Sequence, residues 1–213
     1  MTITLVLHHP VDEAWQNTVA SYPDNLFCEV IPQKENVHEI PSDSRIKLTT
    51  PLPYDDVQSN VRFNYAMAML YSSEGLIVEN SVFLSVNFSS YVDAIKKAVS
   101  AERYIISLAS DLYSENSGII KLVDLPVFQF SGTKAMLFDT HTKTELARWI
   151  LQGMTLPEKG HKDAIKSYCN EFDIPLYTLN YSLVQNIPDR DSDFADEGLF
   201  KNFVDDFENT IKM

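Results

Sequence analysis

The amino-acid sequence predicts an α/β protein with a central, mostly parallel sheet of about six strands flanked by helices. The opening residues follow the order strand, helix, strand: Thr2–Leu7 and Leu26–Ile31 are apolar runs, and Val11–Ser21 carries its apolar side chains at helical spacing. This is the unit from which parallel sheets are built. The branched apolar run Leu76–Val78, which follows a second helical pattern, is typical of a buried strand.

The later elements continue the alternation of helices and strands. The predicted helices are 57–72, 91–99, 142–151 and 162–172. The predicted strands are 46–48, 103–108, 119–123, 127–130, 135–138 and 176–179, and 181–187 is predicted to be extended. Thr142, with Glu145 three residues later, predicts a capping box at the start of the third of these helices. The polar stretch 33–54 contains three prolines and is a candidate functional connection.

Composition limits the classes of function. The chain has 213 residues, of which 45% are hydrophobic, enough for one globular domain with a real core. Its net charge of −13 disfavours binding to nucleic acid or to an anionic membrane surface. Cys28 and Cys169 show neither metal-ligand spacing nor a disulfide framework, which predicts free thiols in a reducing compartment. With no signal peptide and no membrane-spanning run, the expected location is the cytoplasm.

The expected domain organisation is one domain followed by a short segment. Residues 1–190 form the predicted domain, and 191–213 form an acidic segment with an amphipathic helical pattern at 199–211. Further domains of the same polypeptide would follow this segment.

Common catalytic motifs do not occur in the sequence. There is no Gly-x-Gly-x-x-Gly, no P-loop and no Gly-x-Ser-x-Gly elbow, which argues against the usual dinucleotide, P-loop and α/β-hydrolase functions. The five histidines are scattered, but His8 and His9 directly follow the first strand. Adjacent residues of an extended strand point in opposite directions, so at most one of the two faces a given ligand.

A polar cluster, Glu79, Asn80 and Ser81, follows the buried strand Leu76–Val78. In an open α/β sheet the ligand crevice lies outside the carboxyl ends of the strands, where this cluster is expected. On this stretch alone, a strand that simply ends in a turn is an equal alternative.

Four segments, in this order, resemble the GT-A glycosyltransferases, which use nucleotide sugars. They are Thr4–Pro10, the helix and strand of Asn60–Leu84, Phe130–Phe138 (FSGTKAMLF) and Asp163–Gln185. The second segment ends at the position of the acidic metal-binding motif of that family. Residues 1–190 as a whole resemble the amino-terminal domain of a glycosyltransferase encoded by chlorella viruses. Those proteins are thought to build capsid glycans in the host cytoplasm.

The resemblance implies a GT-A-like domain that transfers a hexose or deoxyhexose from a UDP-sugar to a hydroxyl of a glycan acceptor. It implies a nucleotide site formed by His8, His9, Pro10, Arg62, Glu79 and Asn80. It further implies a base, Asp163, in an inverting reaction, although an aspartate in a first helical turn also interacts favourably with the helix dipole. Sugar or acceptor contacts are implied for Gly132, Thr133, Asp139 and Gln185. Whether the reaction retains or inverts the anomeric configuration stays open.

The implied metal site departs from the family pattern. Relatives hold Mn²⁺ or Mg²⁺ with the acidic motif, and the ion neutralises the departing diphosphate. Here only Glu79 is a carboxylate, and Asn186 replaces the closing histidine. Two arrangements follow: either Glu79 and Ser81 hold a metal with waters and diphosphate, or Glu79 grips the ribose. In the second, basic residues face the phosphates, Arg62 first and Lys134 second; Arg62 on a solvated helix face is an equal alternative.

Two rival functions stay open at this stage. A sugar nucleotidyltransferase has a similar sheet but usually shows a glycine-rich basic loop where this chain has His8-His9-Pro10. A nucleotide-sugar-binding module without catalysis is consistent with the weakened motif at Glu79. It predicts nucleotide binding without release of sugar.

Overall fold

The computed structural model describes residues 1–6, 19, 22, 26–31, 40, 44–48, 57–79, 82–110, 120–153 and 160–186. The strands are β1 (Thr2–Val6), β2 (Phe27–Ile31), β3 (Ile46–Leu48), β4 (Leu76–Glu79), β5 (Val82–Leu84), β6 (Ile105–Ser107), β7 (Leu122–Asp124), β8 (Ala135–Phe138), β9 (Leu176–Leu179) and β10 (Val184–Asn186). The helices are α1 (Val57–Tyr71), α2 (Phe88–Ala98), α3 (Thr140–Gln152) and α4 (His161–Phe172), with a 3-10 helix at Val127–Gln129.

Eight of the described strands form one sheet in the order β3-β2-β1-β4-β8-β6-β9-β7. Strands β1, β2, β3, β4, β6 and β9 all run in the same direction, and β8 and β7 run against them. Strands β5 and β10 form a separate antiparallel pair. The prediction of an α/β fold with a mostly parallel central sheet is confirmed; the described sheet has eight strands rather than about six, and six of them are parallel.

The strand order reverses between β1 and β4. From β1 the sheet grows through β2 to β3 on one side, whereas β4 adds on the other side. Such a reversal of strand order opens a crevice outside the carboxyl ends of the two strands. In this chain the crevice lies beyond Val6 and Glu79, the last residues of β1 and β4, which are register partners.

The two faces of the sheet bury separate apolar cores. On one face, Ile3 and Val78 pack in the cluster that includes Val92 of α2. On the other, Val6 and Ile77 pack in the cluster that includes residues of α1, α3 and α4. The alternation follows from the pleat, since successive side chains of a strand point to opposite faces. Burial on both faces explains why the central strands are apolar runs. None of the described helices is long and apolar enough to cross a membrane.

Three local predictions need correction. The stretch predicted as strand 127–130 is a 3-10 helix, in which Gln129 donates its N–H to the carbonyl of Pro126. Proline cannot donate to a strand ladder, so the chain turns there. The helix that follows β8 is capped by Asp139 rather than by Thr142, because the Asp139 carboxylate accepts from the N–H groups of His141 and Thr142. The helix predicted at 91–99 begins at Phe88.

Two other predicted helices lie mostly outside the described residues. No residue of 199–211 is described, and within 11–21 only residue 19 is described, which is helical. The acidic segment 191–213 also lies outside them, so the proposed domain boundary stays a prediction. Cys28 and Cys169 are buried free thiols.

A polar cluster joins α3 and α4 to the end of the sheet at which the parallel strands begin. Arg103 Nη2 lies 2.5 Å from Glu145 Oε2 and donates to the Tyr168 hydroxyl at 2.7 Å. That hydroxyl in turn donates to Glu145 Oε2 at 2.9 Å, and His141 lies 3.4 Å from the other carboxylate oxygen. The Tyr168 hydrogen bond, aided by the charges of His141 and Arg103, holds the pKa of Glu145 below its ordinary value of 4.5.

This lowered pKa predicts an acid-dependent contribution to stability. A carboxylate with a depressed folded-state pKa stabilises the protein above its unfolded pKa, here 4.5, and loses that contribution as the pH falls through the folded value. We expect Glu145→Gln to be less stable than the parent near neutral pH, and the difference to shrink below pH 4.5. Urea unfolding across this pH range measures it, with Glu171→Gln, exposed on α4, as the control. A stability difference that is constant with pH would contradict the assignment.

Candidate functional site

A buried carboxylate, Glu79, marks the crevice between β1 and β4. Glu79 ends β4, and its side chain is two positions after that of Ile77, so both lie on the face covered by α1, α3 and α4. Its register partner is Val6, the last residue of β1. Glu79 therefore lies where an open α/β sheet binds its ligand.

The antiparallel direction of β8 brings Thr133 and Lys134 to the same end of the sheet as Glu79. Ala135 at the start of β8 pairs with Val78 near the end of β4. One residue further along, the N–H of Glu79 donates to the carbonyl of Lys134 at 2.9 Å. The beginning of an antiparallel strand lies beside the ends of its parallel neighbours. The residues before β8, rather than those after it, therefore enter the site.

Both carboxylate oxygens of Glu79 are engaged by these two residues. Thr133 Oγ1 donates to Oε1 at 2.5 Å, and Lys134 Nζ lies 3.2 Å from Oε2. Glu79 is only 6% exposed, and a charge removed from water at this depth requires partners of this kind. Lys134 supplies the opposite charge to this carboxylate.

His161, the first residue of α4, extends the network through Thr133. Its Nε2 lies 2.8 Å from Thr133 Oγ1 and 3.8 Å from Glu79 Oε1. The threonine hydroxyl has one proton, which it donates to Glu79. Thr133 Oγ1 must then accept from His161, which assigns a proton to Nε2 of the imidazole. The order of donation is His161 to Thr133 to Glu79.

Tyr65 of α1 closes the inner side of the site. Its ring stacks on the imidazole of His161, with centroids 4.5 Å apart and an interplanar angle of 25°. The side chain is fully buried, and its hydroxyl makes no hydrogen bond with the described residues. Burial, and then the nearby Glu79 carboxylate, raise the pKa of Tyr65 well above 10.0, so the hydroxyl keeps its proton. A buried hydroxyl in this condition calls for a water or a ligand oxygen.

The neighbours of the Glu79 carboxylate are more exposed to solvent than the carboxylate itself. The side chains of Lys134 and His161 are 28% and 17% exposed, against 8% for Glu79. The helix α4 begins here, and its N-cap, Gly160, has no side chain with which to bond the N–H groups of the first turn. Those N–H groups carry partial positive charge. Chemically, the arrangement suits an anionic ligand that approaches from solvent.

Five of the predicted site residues lie outside the described residues, so their roles stay predictions. They are His8, His9, Pro10, Asn80 and Ser81.

Arg62 and Asp163 flank the site. Arg62 is 4% exposed, and its Nη1 donates to the carbonyl of Gly153, the C-cap of α3, at 3.1 Å. It precedes Tyr65 by three residues and so lies on the same face of α1. Asp163 is exposed in the first turn of α4, about 200° around the helix from His161. Contact of Arg62 with phosphate and the role of Asp163 as base stay predictions.

Asp139 does not join Glu79. It follows β8 and therefore lies at the other end of the strands from Glu79. There its carboxylate caps α3 and accepts from the N–H of Tyr104 at 2.7 Å. We leave it out of the candidate site. Gly132 directly precedes Thr133, and a Cβ built there would meet no atom within 4 Å. Gln185 lies on β10, opposite Phe83 of β5.

Sequence reasoning missed two residues of the site, His161 and Tyr65. His161 was one of five scattered histidines, and its position directly after Gly160, at the start of a predicted helix, was the one available signal. Tyr65 was only one residue of the predicted helix 57–72. Because 96 residues separate Tyr65 from His161, their stacking follows only from the packing of α1 against α4.

The described residues do not fit a divalent-metal site. A Mn²⁺ or Mg²⁺ ion requires several oxygen ligands, usually including carboxylates that are not already neutralised. Within the described ranges, no three His, Cys, Asp or Glu side chains are grouped so that they could hold an ion. Glu79, the carboxylate of this site, is paired with Lys134.

Comparisons with known proteins add little to this picture. The sequence matches no protein-family profile and no curated protein. Among solved structures, the fold is similar to that of the galactosyltransferase LgtC in complex with donor and acceptor sugar analogues. The identity is 9%, the alignment covers 79% of this chain and 70% of that chain, and the TM-score is 0.43. A likeness this distant does not support an inference about the site, and we draw none from it.

Proposed function

We propose that this protein is a glycosyltransferase that moves a hexose or deoxyhexose from a UDP-sugar to a hydroxyl of a glycan acceptor. The observation that carries the proposal is the Glu79 network at the point where the strand order reverses, the position at which open α/β sheets bind nucleotides. The ordered resemblance of four sequence segments to the GT-A glycosyltransferases supports the same function.

In the proposed reaction, an acceptor hydroxyl oxygen forms a bond to the anomeric carbon of the donor sugar. The bond from that carbon to the diphosphate oxygen breaks, and its electron pair leaves with UDP. Negative charge develops on the diphosphate, where preorganised positive groups such as Lys134 stabilise it. In an inverting reaction the hydroxyl proton passes to a carboxylate, for which Asp163 is the candidate. No step is assigned to a metal ion, because the described donor set does not fit one.

Calorimetric titration with UDP, GDP and CMP tests the proposal. We expect UDP to bind selectively. We also expect UDP-glucose or another UDP-hexose to release UDP faster when a glycan acceptor is present. The control for non-specific anion binding is inorganic pyrophosphate at the same ionic strength. If none of the three nucleotides binds, the protein is not a transferase of this type, and the polar cluster at Glu79 serves the fold alone.

A binding module without catalysis is the second candidate, favoured by the internal pairing of Glu79 with Lys134. It predicts tight UDP binding with no release of sugar from any UDP-hexose, with or without acceptor. Transfer of sugar in the assay above would exclude it. A role in viral capsid glycan synthesis and a cytoplasmic location remain predictions from the sequence.

A further inference from the structure

The pairing of Glu79 bears on how the diphosphate of a donor would be bound. Its Oε1 accepts from Thr133, and its Oε2 faces the Lys134 ammonium at 3.2 Å. A divalent ion at Oε2 would have to displace Lys134 or lie beside its positive charge. Among the described residues, Glu79 belongs to no group of three or more His, Cys, Asp or Glu side chains that could hold such an ion.

The same contacts fix the position of the Lys134 ammonium. Lys134 is tethered twice to Glu79, through the ion pair and through its own carbonyl, which accepts from the Glu79 N–H. Its side chain is still 28% exposed, so the ammonium is held in place without being closed off from solvent. Such a lysine meets an incoming anion as a positioned point charge.

His161 connects the start of α4 to the segment that carries the Lys134 ammonium. Its side chain reaches Thr133, the residue before Lys134, at 2.8 Å, and is held from behind by the ring of Tyr65. The start of α4 is thereby held next to the segment that carries Lys134. The carboxylate of Asp163 in that first turn is the opposing charge, and it lies on a different face of the helix.

We propose that Lys134, supported by the first turn of α4, binds the diphosphate of the nucleotide sugar in place of a divalent ion, and that Glu79 and His161 are positioning residues for it. This inference rests on the proposed function. It chooses between the two arrangements open from the sequence: basic residues take the phosphate role, and Lys134 rather than Arg62 is the principal one.

Titration of UDP into chelator-treated protein, with and without added Mn²⁺, is the deciding experiment. We expect UDP to bind without metal, and Mn²⁺ to change its Kd by no more than about threefold. Binding that requires Mn²⁺ would overturn this inference and leave the proposed function intact. Absence of UDP binding in both conditions would overturn both.

Variants of Lys134 test the residue assignment. Loss of one charged hydrogen bond predicts that Lys134→Met raises the Kd for UDP about ten- to a hundredfold, whereas Lys134→Arg retains most of the affinity. Lys97→Met, an exposed lysine on α2, makes the same change in net charge and should leave the Kd unchanged. Equal weakening by both methionine variants would show that net charge alone matters. If Lys134→Met does not fold, the Lys134→Arg variant and the metal titration still decide.

His161 is tested by a matched pair of substitutions. His161→Gln retains an N–H donor toward Thr133, and His161→Leu does not. We expect the glutamine variant to bind UDP more tightly than the leucine variant, with Lys134 unchanged in both. Equal UDP affinities for the two would show that His161 contributes only to packing.

Discussion

Replacing Gly75 with alanine is expected to lower the free energy of unfolding by about 3 kcal/mol. Gly75 joins α1 to β4 with a φ of +71°, in the left-handed region that alanine adopts only at a cost. An added Cβ would lie 2.2 Å from the carbonyl oxygen of Phe138, a backbone atom that cannot rotate away. The backbone would have to shift, and this shift would break the hydrogen bond that the Phe138 N–H donates to the Gly75 carbonyl.

Urea unfolding monitored by circular dichroism measures this loss, and Gly132→Ala is its matched control. Gly132 has space for a Cβ, with no atom within 4 Å, so its alanine variant should stay within about 0.5 kcal/mol of the parent. If Gly75→Ala were as stable as Gly132→Ala, that result would contradict the close contact between the Gly75 turn and the Phe138 carbonyl of β8. Should Gly75→Ala fail to express in soluble form while Gly132→Ala does, the direction of the prediction holds.

Substituting Glu79 with glutamine is expected to reduce sugar transfer from a UDP-hexose about 100-fold, under the proposed function. The amide keeps an acceptor for Thr133 but presents no charge to Lys134, whose ammonium then loses its anchor at 3.2 Å. Removing one member of a largely buried ion pair should also cost about 2 kcal/mol of stability, since Lys134 is partly solvated.

The two consequences are measured separately. Release of UDP from a UDP-hexose follows catalysis, and thermal or urea unfolding follows stability. Glu171→Gln removes the same charge from an exposed position on α4 and should alter neither by more than a small amount. A Glu79→Gln enzyme with full turnover would remove Glu79 from the site, whatever its stability.

Much of the fold could be predicted from local patterns. The largely apolar runs of β1, β2 and β4 predicted strands correctly, and in β1 and β4 nearly every side chain is buried, as expected for strands that are covered on both faces. The position of Glu79 also followed from the sequence, as the first polar residue after the run Leu76–Val78. The 3-10 turn after Pro126 was missed because a short apolar run suits a strand and a tight turn equally well.

The site itself depended on strand direction and on long-range packing. Asp139 and Thr133 both adjoin β8, and either could have joined Glu79 had only their sequence positions been known. Because β8 is antiparallel to β4, Thr133 and Lys134 lie beside Glu79, and Asp139 lies at the other end of β8, where it caps α3. Direction is a property of strand pairing, which the residues of one strand do not encode.

By itself, then, the sequence determined the α/β class, the central strands and the placement of one carboxylate at a strand end, since each depends on residues close together in the chain. Only the tertiary structure decided that Lys134 pairs with that carboxylate, and that His161, stacked on Tyr65, is joined to it through Thr133. These contacts join α1, β4, β8 and α4. They exist because the sheet order and the packing of α1 and α4 bring separate segments to one edge, which no local pattern specifies.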